Sequence, residues 1–284
     1  MSSGVSALRT FSKGLEVIGN NIANINTTGY KGSQAQFADA FDNVLQRSSP
    51  SGAAGGNTPC VGIGTGVTLA GITTNFTQGS LASTGKTTDL GVSGNGFFQV
   101  KNPADGQEYA TRAGDFRWDD QGFLVTPQGD RVQGLTGTGL GTVGDIKYAT
   151  PPTGTQLQSV SIDSAGSVIE FYSDGTSATT NQILLQNFRD SSALTRVGNN
   201  LYSSLLAAGP VGAAAGTSDL AAGTVNAPGH NGLGTIQSGT LELSNVDLTE
   251  QFSDLITMQR SFQAGSRLIT MSDTVLQDIV DLKR

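Results

Sequence analysis

The sequence predicts an α+β protein whose two ends form coiled-coil-like helices of one core, with an antiparallel β domain inserted between them. Three observations predict this fold. Large apolar residues recur every seven residues near both ends, short apolar segments separated by turn signals fill the middle, and low-complexity passages separate these parts. We expect a helical core of residues 1–29 and 248–284, a connecting region with a flexible linker of residues 30–75 and 238–247, and a β domain of residues 76–237.

The first helix is predicted by two interleaved series of residues spaced seven apart. Such spacing places an apolar stripe along one face of a helix, which then packs lengthwise on another helix. Gly14 and Gly19 each cost about 1 kcal/mol in a helix interior, so this helix needs a partner, and Gly29 is expected to end it. The series are Leu8, Leu15 and Ile22, and Phe11, Ile18 and Ile25.

Two passages follow whose structure the sequence leaves more open. The apolar residues of 35–45 suit either a short second helix or an extended arm. Residues 46–66 contain Ser, Gly, Pro and Asn at high density, which is typical of a flexible linker or a long loop.

From Val67 onwards the pattern becomes one of short strands. Turn signals stand at 105–106, 120–122, 128–129, 165–166 and 174–175. Because no βαβ spacing occurs, we predict antiparallel pairing. A second low-complexity passage covers residues 207–237.

The last helix is predicted to begin after Asp247, because Asp247 and Glu250 have the spacing of a capping box. Polar Gln259, Ser266 and Asp273 occupy positions in its apolar seam, so two helices alone would cover each other poorly. A bundle of helices from several subunits would use these surfaces better, which indicates a role in assembly. The apolar residues of this helix include Leu248, Phe252, Leu255, Phe262, Ile269 and Leu276.

Composition excludes several classes of partner. The 284-residue chain carries 39 Gly, 14% charged residues and a formal net charge of -7, which argues against binding of nucleic acid or of an anionic membrane surface. A single cysteine, Cys60, cannot form an internal disulfide. No apolar run of about 18 residues predicts a membrane span, and the first residues lack the apolar segment of a cleavable signal.

No combination of residues predicts catalysis, a cofactor or a metal. The string at 139–144 matches the dinucleotide fingerprint, but Pro151 and Pro152 soon follow where a helix is required, so we interpret it as a glycine-rich loop. His230 is the only histidine, which argues against a Ser-His-Asp triad and a His/Cys zinc site. Asp119 and Asp120 are expected to form a turn.

Several separate segments resemble the bacterial flagellar axial proteins of the rod and hook. The first includes Asn20, Asn21 and Asn24, followed by Gly29-Tyr30-Lys31. Further similar segments are Phe76–Leu81, Gly94-Asn95-Gly96-Phe97-Phe98, Tyr109–Phe116 and Gly239–Leu248, which contains Asn245 and Asp247, and finally Met258-Gln259-Arg260-Ser261-Phe262. These segments span almost the whole chain.

The resemblance implies a structural protein of the flagellum, in its hook or basal body, that is exported through the flagellar type III apparatus. Its implied partners are other copies of itself in a helical polymer, and the rod, hook-cap and hook–filament junction proteins. The terminal helices are implied to order on assembly and to form the inner core of a tube. A charge at Ile18 or Leu255 is therefore expected to abolish polymerisation while the β domain stays folded.

Within this family the phrase at 32–41 and the last four residues are more similar to the hook protein, which we take as the main reading. Two features depart from the hook pattern: the middle is too short for a separate outer β domain, and residues 46–62 resemble an extra segment of distal rod proteins. The distal rod is therefore the alternative.

Two readings from other classes also remain. The β domain with its Gly-, Ser- and Thr-rich loops suits a secreted adhesin or carbohydrate-binding module, which would bind as an isolated domain and form no tube. A glycosidase would need two carboxylates across a cleft. Its candidates, Asp115 and Asp119, lie in or next to one predicted hairpin.

Overall fold

The computed structural model describes residues 2–48, 59–137, 140–151, 154–212, 220 and 226–282. This part of the chain contains helices α1 (Ser2–Ala23) and α2 (Leu248–Asp281). Its strands are β1 (Ser33–Asp39), β2 (Asp42–Gln46), β3 (Val61–Gly64), β4 (Val67–Thr74), β5 (Leu81–Ser83), β6 (Leu90–Ser93), β7 (Phe97–Lys101), β8 (Glu108–Thr111), β9 (Arg117–Trp118), β10 (Leu124–Val125), β11 (Arg131–Thr136), β12 (Thr142–Asp145), β13 (Leu157–Ile162), β14 (Ser167–Tyr172), β15 (Ser177–Ile183), β16 (Leu185–Gln186), β17 (Thr195–Gly198), β18 (Leu201–Ser203), β19 (Thr235–Ser238) and β20 (Thr240–Glu242).

The chain divides into two compact units. The helical unit consists of Met1–Ala23, Gly32–Asn75 and Val246–Arg284, and the β unit consists of Asn24–Lys31 and Phe76–Asn245. These bounds differ from the three regions expected from the sequence, because β1 and β4 belong with the helices and the segment after α1 belongs with the β unit. The predicted three-part division stays a prediction.

The two helices of the helical unit run antiparallel. A Cβ built on Gly4 would lie 3.3 Å from Ile269, one on Gly265 would lie 3.3 Å from Leu8, and one on Gly14 would lie 3.5 Å from the sulfur of Met258. Three glycines therefore lie in the contact between the helices, and Gly14 is tolerated despite its helix-propensity cost because a Cβ there would also lie 3.1 Å from the Phe37 ring. These contacts establish antiparallel packing; a coiled-coil core stays a prediction.

Strands β1 and β4 form an antiparallel ribbon that packs on α1. The rings of Phe11 and Phe37 meet edge to face at 6.1 Å, and the Thr10 hydroxyl donates to the carbonyl of Val67 at 3.1 Å. Strands β2 and β3 pair as a second ribbon. Residues 35–45 are thus mostly extended, so the structure selects the arm of the two alternatives. Within the 46–66 passage, residues 49–58 lie outside the described residues.

The β unit is built around a large antiparallel sheet with the strand path β13-β14-β15-β11-β7-β8-β18-β17. The predicted antiparallel pairing is confirmed in its described strands. The five predicted turns are also confirmed, because their glycines have the positive φ angles that favour glycine: Gly106, Gly122, Gly129, Gly166 and Gly175. Apolar side chains from several strands form its main core, including Leu90, Val92, Phe98, Val100, Leu124, Val132, Ile183 and Ile236.

The helix bounds confirm one prediction and correct another. Helix α2 begins at Leu248 with Asp247 as its N-cap, whose carboxylate accepts from the backbone N–H of Thr249 at 2.7 Å. Helix α1 ends at Ala23, so the prediction that Gly29 ends it was wrong by six residues. The backbone turns instead at Asn24, whose carbonyl accepts from Thr27 N–H at 3.1 Å. Ile25 therefore lies beyond the helix whose stripe it was expected to extend.

In the described part of the chain, neither helix combines the length and apolarity needed to cross a membrane. Of the second low-complexity passage, residues 213–219 and 221–225 lie outside the described residues.

Candidate assembly surface

Helix α2 is longer than the helix that covers it. Its 34 residues span about 51 Å and the 22 residues of α1 about 33 Å. Because Gly4 lies beside Ile269, α1 begins close to Met271. Residues 272–281 therefore extend past the start of α1 over about 15 Å.

Large apolar side chains are exposed on two sides of α2. Near its start, Phe252 is 50% exposed and Ile256 is similarly open; near its end, Val275 is 56% exposed. At about 100° per residue, Val275 lies about 140° around the helix from Phe252 and about 100° from Ile256. The exposed set as a whole is Leu248, Phe252, Ile256, Phe262, Leu268, Met271, Val275, Leu276, Ile279, Val280 and Leu282. So many exposed large apolar side chains along one helix are typical of an interaction surface.

The predicted stripe residues divide between this exposed surface and the contact within one chain. In α1, Ile18 is buried and Leu8, Phe11, Leu15 and Ile22 are half-buried. In α2, Leu255 and Ile269 are half-buried, whereas Leu248, Phe252, Phe262 and Leu276 are exposed. By the helix register Ile18 lies level with Leu255, so a charge at either position is expected to disturb the helix pair itself. The exposed residues make cleaner probes of assembly between copies.

The β2–β3 ribbon also exposes apolar side chains. Ile63 is 60% exposed and Phe41, just before β2, is 94% exposed, with Leu45 and Val61 open beside them. An isolated two-stranded ribbon is marginally stable in water. This ribbon is therefore a second surface that a neighbouring molecule would stabilise by covering it.

Two asparagines of the first segment that resembles the family, Asn21 and Asn24, make hydrogen bonds that hold the local backbone. Asn21, buried in the helical unit, donates to the Ser33 carbonyl at 2.7 Å and to Gln251 at 2.9 Å, and accepts from Ser33 N–H. Asn20 is exposed. Asn24 accepts from the Thr27 hydroxyl at 3.1 Å.

Gly29 and Tyr30 fix the segment 24–31 within the β unit. Gly29 has φ +66°, and a Cβ there would lie 2.5 Å from the backbone nitrogen of Ala113, so only glycine fits. The Tyr30 ring is buried and the Arg196 guanidinium lies 4.7 Å from its centre. Arg196 also donates to the Lys31 carbonyl at 2.5 Å.

A buried carboxylate, that of Glu242, connects three parts of the β unit. It accepts from Lys31 Nζ at 2.6 Å, from Arg112 Nη1 at 3.2 Å and from Gly79 N–H at 2.9 Å. The Glu242 carbonyl accepts from Gly29 N–H at 2.7 Å. Charged groups are rarely buried unless they are paired in this way.

Burial lowers the pKa of Lys31 and of Arg112 below their ordinary values, and the negative charge of Glu242 partly offsets this in both. Arg112 Nη2 also donates to the Gly94 carbonyl at 2.9 Å. The side chains of Lys31 and Glu242 are fully buried. The network therefore depends on one carboxylate for two buried cations.

Most of the other residues in the segments that resemble the family lie in the β unit and make contacts within it. Gly94 and Gly96 have φ angles of 110° and 128°, and Gly94 N–H donates to the Gln78 side chain at 2.8 Å. Phe97 is buried beneath the Arg112 guanidinium, 5.1 Å from its ring centre. Asn245 donates to the Thr77 carbonyl at 3.1 Å. Gln259 and Arg260 are exposed on α2.

The residues considered for catalysis have local structural roles. Asp119 accepts from the N–H groups of Gln121 and Phe123, which confirms the predicted turn. Burial raises the pKa of Asp115, and the charge of Asp89 raises it further. Residues 142–145 form strand β12, paired with β11, where a nucleotide fingerprint requires the start of a helix.

Sequence reasoning assigned no role to Lys31, Arg112 or Glu242. The signal that would have identified them is charge inside apolar strand-like segments, in a chain with only 14% charged residues. Their pairing joins residues up to 211 positions apart, and no local pattern reveals such a partner.

Three family models match the chain. These are a flagella basal body rod protein model over residues 1–31, a flagellar hook protein FlgE/F/G D1 domain model over residues 91–170, and a flagellar basal body rod FlgEFG protein C-terminal model over residues 237–282. The matches cover both helices and part of the sheet.

Curated relatives match the chain along nearly its whole length. The flagellar basal-body rod protein FlgG of Bacillus subtilis is 40% identical over 282 residues, covering 99% of this chain and 98% of the relative. FlgG of Caulobacter vibrioides is 32% identical, covering 98% and 100%. The flagellar hook protein FlgE of Borreliella burgdorferi is 25% identical over 451 aligned positions, covering 99% and 98%. That alignment is longer than this chain, so the hook relative contains segments that the chain lacks.

Proposed function

We propose that this chain, which belongs to the bacterial flagellar rod and hook axial protein family, is a structural subunit of the distal rod that self-assembles through its terminal helices into a tube. The observation that carries the proposal is the full-length likeness to basal-body rod proteins at up to 40% identity. The sequence favoured the hook. The comparisons support the distal-rod alternative better, because the hook relative is less similar and longer.

The chain is a component of the flagellar basal body or hook, and we infer that its role there is non-catalytic. Its proposed partners are further copies of itself, the axial proteins at either end of its tube and the export apparatus. The exposed apolar sides of α2 support self-assembly, since neighbouring copies would remove them from water at about 25 cal/mol per Å².

The β2–β3 ribbon supports a rod in preference to a hook. A rod must resist bending, and a ribbon with Phe41 and Ile63 exposed would lock neighbouring copies when they cover it. In this proposal the ribbon is a clamp between subunits, and the apolar sides of α2 supply the inner core.

Tube curvature tests the assignment. We expect the concentrated full-length chain to form straight, stiff tubes in negative-stain electron micrographs. The variant Phe41→Ser/Ile63→Ser is expected to give flexible or curved tubes, because it removes apolar contacts of the clamp. Curved tubes from the unaltered chain would favour the hook. Straight tubes from the double variant would show that the ribbon does not make the tube stiff.

A further inference from the structure

Three exposed apolar side chains form one stripe near the start of α2. Leu248, Phe252 and Ile256 follow one another at every fourth residue, and all three are exposed. At about 1.5 Å of rise per residue this start stripe is about 12 Å long. Its middle lies about 120° around the helix from the side on which Gly265 and Ile269 contact α1, so α1 of the same chain does not cover it.

Near its other end, α2 exposes apolar side chains on the side that α1 covers along the preceding turns. Leu276, Ile279 and Val280 lie within about 60° of the direction of α1. They are exposed because α1 begins close to Met271 and does not extend to their level. These three side chains, the uncovered end, therefore continue the contact surface between the two helices of one chain.

Two different apolar surfaces on one helix fit a head-to-tail contact between copies. Such a contact joins unlike surfaces and repeats from copy to copy, which generates a ring or a helical filament. A contact between two uncovered ends would instead close after two copies. The surfaces also match in length, because the part of α2 beyond α1 extends over about 15 Å and the start stripe over about 12 Å.

We propose that the start stripe of one copy covers the uncovered end of α2 in the next copy. The inference rests on the proposed tubular assembly and specifies which helix surfaces meet in it. In a helical polymer every copy holds α2 in the same direction, so Phe252 of one copy lies level with Ile279 of the next. These positions are 27 residues apart in the sequence, which corresponds to a stagger of about 40 Å.

This stagger leaves room for both helices. Leu248 of one copy lies level with Val275 of the next, about 6 Å past the start of α1 near Met271. The added α2 helix therefore begins just beyond α1 and occupies the space that α1 leaves open. A stagger shorter by seven residues sets Leu248 level with Leu268, where α1 already occupies this side of α2.

Cysteine cross-linking of assembled tubes tests the contact. All variants carry Cys60→Ser, which removes the single natural cysteine. We expect Phe252→Cys/Ile279→Cys, treated with a short bis-maleimide, to give a ladder of covalent dimers, trimers and larger species in denaturing electrophoresis. Each of the two single-cysteine variants stays monomeric, because a head-to-tail contact brings two different positions together.

The matched control is Gln259→Cys/Ile279→Cys. Gln259 is exposed and lies within about 20° of Phe252 around the helix, but about 10 Å further along it, so this variant stays monomeric. Dimers from Ile279→Cys alone would show that two uncovered ends meet. A ladder from Ile63→Cys/Ile279→Cys would show that the β2–β3 ribbon covers the uncovered end. Either result, or a ladder from the control, would overturn the proposal.

A double-mutant cycle tests the same contact without cysteines. Phe252→Ala and Ile279→Ala each remove apolar area from the interface, and each is expected to raise the critical concentration for tube formation about tenfold. Because both changes affect one contact, the double variant is expected to raise it by less than the product of the two effects. Circular dichroism verifies that each variant keeps its helices.

The outcomes separate this inference from the proposed function. Absence of tubes from the unaltered chain would overturn both. Tubes of Phe252→Cys/Ile279→Cys that give no ladder, or alanine effects that multiply fully, would overturn the head-to-tail contact while leaving tubular assembly in place.

Discussion

Replacement of Glu242 by glutamine is expected to destabilise the β unit more than any other single loss of a charge in it. Glutamine keeps the size of the side chain but leaves Lys31 and Arg112 buried without a counter-charge. Breaking a buried ion pair by removing one partner costs about 3–5 kcal/mol. For a unit of this size that corresponds to a fall in melting temperature of roughly 10 °C.

Trp118 reports this change selectively, because it is the single tryptophan of the chain and belongs to the β unit. Its fluorescence during urea unfolding gives the free energy of unfolding of that unit. Asp105→Asn is the matched control, since it removes the same charge from an exposed side chain of the unit. We expect it to change that free energy by less than about 0.5 kcal/mol.

A double variant distinguishes the cost of a buried cation without a counter-charge from the cost of the lost hydrogen bonds. Lys31→Met combined with Glu242→Gln is expected to cost less than the two single changes together, since the double change leaves one buried cation fewer without a counter-charge. A loss below about 1 kcal/mol for Glu242→Gln would refute the argument. So would full additivity of the two changes.

The pH dependence of Glu242→Gln follows from Lys31. Burial lowers the pKa of Lys31 below 10.5, and Glu242 partly restores it, so its removal lowers that pKa further. Between the lowered folded pKa and 10.5, the unfolded chain binds more protons than the folded chain, so stability rises with pH. The deficit of the variant relative to the unaltered chain is therefore expected to be smaller at about pH 10 than at pH 7.

Three further predictions concern single side chains. Gly29→Ala is expected to lower the free energy of unfolding by at least about 2 kcal/mol in Trp118-monitored urea unfolding. The control Gly85→Ala, also at positive φ but with open space around it, is expected to cost about 1 kcal/mol. Equal losses would show that the contact with Ala113 is unimportant. Burial and the hydrogen bond to Glu170 raise the pKa of Tyr172 to about 12, so the stability of the β unit falls as pH rises from about 10 towards 12. Tyr172→Phe is expected to reduce this fall, measured as the urea midpoint at each pH. An unchanged slope would contradict the assignment. Asp247→Ala removes the cap of α2 and is expected to cost about 1 kcal/mol, measured as a lower helix melting temperature by circular dichroism; unaltered melting would show that the cap does not limit α2.

The parts of the fold that local sequence determines were predicted correctly. Asp247 marks the start of α2 because its side chain and the backbone it caps are neighbours. Each predicted turn glycine has positive φ because the turn itself demands that conformation. The seven-residue series likewise identified both helices, since helical periodicity is a local property.

Features that depend on distant partners were not predictable in this way. The end of α1 at Ala23 depends on Asn21, which bonds to Ser33 and Gln251, and on the following segment, which packs in the β unit. The Glu242 network depends on pairing across the sheet. The apolar series in α2 predicted a helix with an apolar face, but which of its residues remain exposed depends on the side on which α1 packs and on the length of α1.

Local sequence patterns also did not distinguish a hook subunit from a rod subunit. The phrase at 32–41 favoured the hook, and its residues are mostly in the β1–β4 ribbon that packs on α1. The short middle of the chain carried a signal that agrees with the rod relatives, since the chain covers 98% and 100% of their length.

Electron microscopy of the concentrated full-length chain beside its Val275→Arg variant tests the central claim most directly. Val275 is exposed on the part of α2 that α1 does not cover, so a charge there leaves the subunit intact. We predict straight tubes from the unaltered chain, no tubes from the variant, and the same Trp118 unfolding curve for both. Absence of tubes from the unaltered chain, or equally abundant tubes from the variant, would contradict assembly through the terminal helices.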